Sequence, residues 1–443
     1  MNMINVRRLA VMTFLGAGML SDISAQDFSL QADTLNEARL PAQWDLQSCI
    51  DYALEQNITI RKNRVTAEST QIDVKTAKAA LFPSLSFSTS QQVVNRPYQE
   101  TSSRVSGSEI ISSNSKTSYN GNYGLNASWT IYNGSKRLKT LKQERLNNQV
   151  AELDVATSEN TIKESIAQIY IQILYAAESV RVNENTLQVS IAQRDRGQEL
   201  LNAGSIAKSD FAQLEAQVST DRYQLVTAQA TLQDYKLQLK QLLELDGENE
   251  MNVYLPKLSD ENVLAPLPAK KDVYVSALAI RPEIEASKLN VEASELGIDI
   301  AKSSYFPTIS LSAGIGTNHT SGSDFTFGEQ VKNGWNNSIG LSVSVPIFNN
   351  RQTKSAVQKA KLQRETNMLS LLDEQKALYK TIESLWLDAN SAQQRYAAAN
   401  EKLRSTQISY DLISEQFNLG LNKAVSLITR INRFFGYAWT AEP

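Results

Sequence analysis

The chain carries one unit twice. Lys78-Ala79-Ala80-Leu81-Phe82-Pro83-Ser84-Leu85-Ser86 matches Lys302-Ser303-Ser304-Tyr305-Phe306-Pro307-Thr308-Ile309-Ser310 at an offset of 224 (Phe306 against Phe82). The same offset aligns Ala53-Leu54 with Ala277-Leu278, Ile60 with Ile284 and Glu68 with Glu292 without a gap. Further on, Ile131-Tyr132-Asn133 matches Ile347-Phe348-Asn349 at an offset of 216, which also aligns Asn202-Ala203-Gly204 with Asn418-Leu419-Gly420. Two constant offsets mean a duplication. The change from 224 to 216 puts eight extra residues in the first copy, between about 89 and 120. Thr101-Ser102-Ser103 and Ser112-Ser113-Asn114-Ser115 give that stretch the composition of a surface loop. The expected organisation is a leader over 1–25, a first repeat over 26–271 and a second over 272–443.

Each copy reads as helix, strand, long loop, strand, very long helix, tight turn, helix. Leu85, Phe87 and Thr89 alternate with serines, as do Ile309, Leu311, Ala313 and Ile315 with Ser310, Ser312 and Gly314. Tyr123, Leu125, Ala127, Trp129 and Ile131 alternate with small polar residues, and Ile339, Leu341, Val343, Val345 and Ile347 repeat the pattern. Strands of about 8–11 residues with one apolar and one small polar face suit a tilted membrane-spanning wall, and equally a half-buried strand of a soluble sandwich.

The helices carry a longer pattern. Leu378, Ile382, Leu385, Ala389, Ala392, Tyr396, Ala399, Leu403, Thr406, Tyr410, Ile413 and Phe417 step by fours and threes. In the first copy the same register holds Ile162, Ile166, Ile169, Ile173, Ala176, Val180, Asn183, Leu187, Ser190, Arg194, Gly197 and Leu201. Phe211, Leu214, Val218, Leu225, Ala228, Leu232, Tyr235, Leu239 and Leu242 continue after the turn, broken at Asp221. Sustained 3.5-residue periodicity means coiled-coil packing. A helix from about Lys136 to Leu201 is a rod of roughly 100 Å. A plain periplasmic coiled coil is the alternative, and it leaves the four alternating strands unused.

Composition narrows the function. One Cys (Cys49) and one His (His319) permit no internal disulfide and no Cys/His zinc cluster. Lys+Arg 44 against Asp+Glu 47 gives a net charge of −3 and no electrostatic footprint for nucleic acid. A Ser–His–Asp site would need His319, which lies in the loop-like run Gly316-Thr317-Asn318-His319-Thr320-Ser321-Gly322. No catalytic residues, cofactor or metal site are expected. Arg7-Arg8, the apolar run Leu9–Leu20 and Ile23-Ser24-Ala25 before Gln26 read as an export signal, too short for a membrane anchor.

Four strands cannot close a membrane barrel, and an open sheet edge is not tolerated in lipid, so several copies must pool their strands. Three copies give twelve strands and a usable lumen.

With these features in place, the chain resembles the TolC-like outer-membrane efflux protein family. The resemblance rests on the duplicated helix–Phe-Pro–strand junctions, Arg281-Pro282-Glu283-Ile284 and the Asn-x-Gly turns, and spans about Trp44 to Ile428. It implies a mainly α protein with membrane β structure: a homotrimer whose twelve-stranded β-barrel sits in outer-membrane lipid and continues as a periplasmic α-helical coiled-coil tunnel. It implies a passive exit duct for a tripartite efflux or type I secretion system. The partners would be a periplasmic adaptor (membrane fusion) protein and, indirectly, an inner-membrane RND or ABC transporter. By resemblance, the tips Asn202-Ala203-Gly204-Ser205 and Asn418-Leu419-Gly420-Leu421 meet the adaptor. The family's periplasmic gate maps onto Asp210, Asn422, Ser426 and Thr429, with Lys423 as a substitute partner for Asp210. Because Ser426 and Thr429 replace acidic residues, the family's strong cation selectivity is not expected here.

The end of the second copy departs from the first. Lys208–Leu245 predicts a partner from about Ala424 to 461, whereas the chain ends at Pro443 with an aromatic-rich tail. The last helix is therefore expected to be cut short by some 18 residues, with a poorly assembling relative of such ducts as the alternative reading.

Overall fold

A computed structural model describes residues 41–98, 102–106, 109–113, 116–245, 251–256, 263–321, 325–419, 426 and 429. The expected leader and the tail after 429 lie outside the described residues. Helix α1 (Leu46–Gln56) and helix α2 (Ile58–Ala79) meet at Asn57, whose side chain accepts the Thr59 and Ile60 amides and caps α2. The sequence then turns to strand at Pro83, which has no N–H and disfavours helix in the residue before it. Strand β1 (Ser84–Asn95) pairs antiparallel with strand β4 (Thr117–Asn133), and β2 (Ser102–Ser106) and β3 (Glu109–Ser113) form a separate hairpin between them. The expectation of plain loop over 89–120 is corrected here: Val105, Ile110 and Ile111 supply β-branched residues to a two-stranded ribbon.

Helix α3 (Lys136–Asn202) turns back into helix α4 (Lys208–Leu242). The second half follows with α5 (Lys270–Ile280), α6 (Pro282–Ser303), β5 (Thr308–Thr320), α7 (Phe327–Asn333), β6 (Asn336–Ser344) and α8 (Gln352–Asn418). At 67 residues each, α3 and α8 are rods of roughly 100 Å. The four main strands form one antiparallel sheet in the order β1-β4-β5-β6.

The core gathers where the short helices meet the rods. Cys49, Ala53 and Ile60 pack with Ile162, Ile166, Tyr170 and Ile173 of α3, and with Leu239 and Leu243 at the end of α4. Asn57 Nδ2 donates to the Leu242 carbonyl (3.0 Å), and Tyr170 Oη to the Tyr254 carbonyl (2.5 Å), so the polar groups inside this cluster are paired. On the other flank, α6 lies between α3 and α8: Gln143 Nε2 donates to the Ala293 carbonyl, and Arg364 is paired with Glu295.

The seam on α3 differs in detail from the sequence register. Beyond Ala176 the buried column runs Ser179, Thr186 and Leu200, with Ser190 and Gly197 beside it, while Val180, Leu187, Arg194 and Leu201 are half-buried. Both columns repeat every seven residues. The direction of approach of α4 selects the smaller one, and helix periodicity alone does not fix that direction.

Candidate functional site

The sheet has two chemically opposed faces, set by strand alternation. Cross-strand rows such as Leu85–Ala127–Ala313–Ile339 and Phe87–Leu125–Ile315 lie on one face. Its large side chains are exposed: Leu85 70%, Phe87 68%, Ile339 79% and Leu341 64%. On the other face, rows such as Ser86–Asn126–Gly314–Ser338 and Ser84–Ser128–Ser312–Gly340 present hydroxyls, amides and bare backbone. Those hydroxyls are satisfied within the sheet. Ser84 Oγ and Ser128 Oγ share a hydrogen bond (2.8 Å), and Ser312 Oγ donates to the Gly340 carbonyl (3.3 Å). No Asp, Glu, Lys, Arg or His occupies this second face among the described strands β1, β4, β5 and β6. The sheet thus sets an exposed apolar face against a neutral, wettable one. Among the described residues, both edges of the sheet, β1 and β6, are unpaired within the protomer.

The sheet is clipped to the rods at one end. Trp129 Nε1 donates to the Leu81 carbonyl (2.9 Å), and Arg137, in the first turn of α3, donates to the Thr130 and Phe82 carbonyls. These bonds hold the α2–β1 and β4–α3 junctions together.

At the far end of the rods, the first tip is a Schellman turn. The Ser205 amide bonds to the Leu200 carbonyl (2.8 Å) and the Gly204 amide to Leu201 (2.9 Å), with Gly204 at φ +75°. Asn202, Ala203, Gly204 and Ser205 are all exposed. Asp210 is half-buried in the first turn of α4, where the helix dipole favours an anion. Gly197 is a close-approach point: a Cβ there would lie 2.4 Å from Leu214 Cδ1 of α4. Tyr410 and Ile413 of α8 pack against the Leu200–Leu214 cluster, which brings the second rod beside the first tip.

Of the second tip, Asn418 ends α8 and Leu419 is exposed; Gly420, Leu421, Asn422 and Lys423 lie outside the described residues. Ser426 and Thr429 are helical. The structure therefore assembles the first tip with Asp210, and the Asp210–Lys423 contact falls outside the described residues. Among the described residues there is no cluster of three or more metal-ligating side chains, and no helix is long and apolar enough to cross a membrane.

Sequence reasoning misplaced His319. It belongs to β5, paired with Gly121, and its ring meets Tyr119 and Phe327 edge-on at 5.5 and 5.0 Å. Gly316, Asn318 and Thr320 around it mimic a loop because the small polar face of the sheet needs the same residues. Two further elements were missed: α7, whose signal is the capping box Thr326-x-x-Glu329, and the buried pair Ser190–Asp221, which reads in sequence as a broken heptad.

A sheet with one apolar and one small polar face, carried on two helices of roughly 100 Å, is the architecture of an outer-membrane-type sheet on a long helical stalk. The comparisons agree. The model of the family described as "Outer membrane efflux protein" matches residues 49–244 and 273–428. The chain belongs to that family, whose place is the outer membrane. It is 25% identical over 276 residues to the outer membrane efflux protein BepC of Brucella suis biovar 1 (strain 1330), covering 62% of this chain and 57% of that protein. It is 24% identical over 318 residues to the outer membrane protein TolC of Escherichia coli (strain K12), covering 69% and 62%. These matches thus span less than two thirds of either relative's own length. The crystal structure of the outer membrane protein VceC from Vibrio cholerae superposes with a TM-score of 0.75 at 15% identity, covering 89% of this chain and 91% of that one.

Proposed function

We propose that the chain is the outer-membrane exit duct of an efflux or type I secretion system, and works as a homotrimer. The observation that carries this reading is the two-faced sheet with both edges unpaired. An open edge in lipid leaves backbone N–H and C=O groups without partners, at several kcal/mol each. Pairing β6 of one copy with β1 of the next removes every edge once the ring closes, and three copies supply twelve strands. The hydroxyl faces then line a common bore and the rods extend it into the periplasm.

In such a duct the protein performs no bond chemistry. The first tip, with exposed Asn202, Ala203, Gly204 and Ser205, and the second, with Asn418, Leu419, Gly420 and Leu421, are the surfaces offered to a periplasmic adaptor; the inner-membrane transporter supplies energy through it. Asp210 together with Asn422, Lys423, Ser426 and Thr429 forms the constriction, with too few acidic groups to make a strong cation filter.

The test is purification from outer membranes in detergent, followed by chemical cross-linking and conductance measurement in a planar bilayer. A three-subunit species and stable channels are expected. A soluble monomer that forms no channels overturns the proposal.

A further inference from the structure

Strand β6 begins at Asn336, opposite Gly316, whereas β5 continues to Thr320. Four residues of the β5 edge therefore extend past their neighbour. Helix α7 covers them. Gln330 Oε1 accepts the Thr320 amide (2.8 Å), Thr317 Oγ1 donates to the Val331 carbonyl (2.7 Å), and Gln330 Nε2 donates to the Phe325 carbonyl (2.9 Å). The helix is short, but its capping box is complete: Thr326 accepts the Glu329 amide and Glu329 accepts the Thr326 amide.

The side of the sheet on which α7 sits decides its role. Thr317 and His319 alternate in phase with Ile309, Leu311 and Ile315, on the apolar face. The body of α7 is met by the Thr317 hydroxyl and the His319 ring from the apolar face, and the polar-face Asn318 comes close only at the C-cap, Gly334, so the body of the helix lies on the apolar side of the sheet and does not lid the bore. Around it, Phe325, Phe327 and Trp335 are 53%, 43% and 57% exposed, beside the exposed polar side chains of Glu329 and Lys332.

The height of this group fits one place. Ile309 is paired with the exposed Tyr132 near the helical junction, and His319, ten residues along the same strand, meets Phe327. Ten residues at about 3.4 Å make about 34 Å, or about 26 Å of height at a tilt of about 40°, and the apolar band of an outer-membrane barrel is about 25 Å tall. Aromatic rings with polar neighbours settle at the boundary between acyl chains and headgroups.

We infer that α7 and its flanks form an interfacial anchor, with Phe325, Phe327 and Trp335 seated at the acyl–headgroup boundary of the outer leaflet. It fixes the depth of the barrel while closing the overhanging β5 edge. This rests on reading the sheet as a barrel wall, and the experiment separates the two.

The trimer is reconstituted into phosphatidylcholine vesicles carrying bromine near the headgroup or near the acyl-chain end. The Trp335 signal is the difference between wild type and Trp335→Phe, and the Trp129 signal the difference between wild type and Trp129→Phe. Trp335 emission is expected to be quenched about two-fold more strongly by the shallow label than by the deep one. If Trp129 is quenched by lipid while Trp335 responds only to aqueous acrylamide, α7 projects into water and the anchor is wrong. If neither is quenched by either label, the barrel reading itself fails.

Discussion

Asp221 of α4 is 2% exposed, and its Oδ2 accepts the Ser190 hydroxyl of α3 at 2.5 Å, 31 residues away in sequence. Its other oxygen accepts Gln217 Nε2 at 2.8 Å. The carboxylate occupies the place a heptad apolar residue would take between Val218 and Leu225. A buried polar group in a coiled-coil seam costs stability and specifies register. Here the pair fixes how α3 slides against α4 between the tip and the core around Ile173 and Leu239.

Removing the Ser190 hydroxyl leaves Asp221 Oδ2 buried without that donor, while Oδ1 keeps Gln217. Ser190→Ala should destabilise the α3–α4 pair by about 1–3 kcal/mol. The double change Ser190→Ala with Asp221→Leu should recover that loss or exceed it, because an apolar pair packs without desolvated charge. Thermal denaturation of the detergent-purified protein reads both. A double variant less stable than the single one would show that the carboxylate contributes more than it costs.

Gly204 is needed for its backbone angle. Its φ is +75°, yet an added Cβ would meet nothing within 4 Å. Gly204→Ala should therefore cost about 1–2 kcal/mol through left-handed strain alone, and Gly204→Asn less. Faster hydrogen exchange of the Gly204 and Ser205 amides, which close the turn onto Leu201 and Leu200, is the expected signature. Unchanged exchange in Gly204→Ala would mean that the turn tolerates a side chain.

The duplication, the alternating strands and the rods were legible in the sequence because each is a periodic signal carried by many residues. The bounds of α3 came out within one residue, since Gly204 punctuates its end and the long stripe its body. What escaped depends on single contacts between distant segments. The hydroxyl of Ser190 gives no sign that Asp221 lies against it, so Asp221 reads as an interruption. The α3 seam shifted by one position because two adjacent columns, one of Val180 and Leu187 and the other of Ser179 and Thr186, share the same seven-residue period. Helix α7 was hidden by its brevity: seven residues show no periodicity, and Gln330 and Val331 hold it through bonds to β5.

Cys49 lies in the core where the short helices meet the rods, with no exposed surface. Burial, and secondarily the Asp45 charge, pushes its thiol up to about 12. Folded-state protonation is thus favoured, so its contribution to stability is intact below the ordinary thiol range near 9 and is lost as pH climbs from there towards about 12. At pH 8 the native protein should resist alkylation by N-ethylmaleimide and react fully once denatured. Rapid labelling of native protein would mean that the α1–α3 contact opens readily.

The neutral polar face, which lines the bore of the proposed trimer, makes a sharper prediction about permeation. Its rows, Ser84–Ser128–Ser312–Gly340 among them, carry dipoles and no charge. In the proposed trimer, each position on this face recurs three times around the bore. Ser312→Asp would therefore install three carboxylates at one height, and a ring of carboxylates draws cations. Among the described residues, Ser312 Oγ bonds to the neighbouring Gly340 carbonyl alone, at 3.3 Å, so little folding stability is lost with it. The wild-type channel should show weak selectivity in a salt gradient, and Ser312→Asp a reversal potential shifted towards the cation value, more at low ionic strength than at high because salt screens the ring. The same substitution on the opposite face, Leu311→Asp, should not alter selectivity and should lower trimer yield, since a charge there meets lipid. If Ser312→Asp leaves the reversal potential unmoved while Leu311→Asp shifts it, the faces have been assigned the wrong way round. If neither moves it, a constriction elsewhere dominates the conductance, and the tip around Asp210 becomes the next place to add or remove charge.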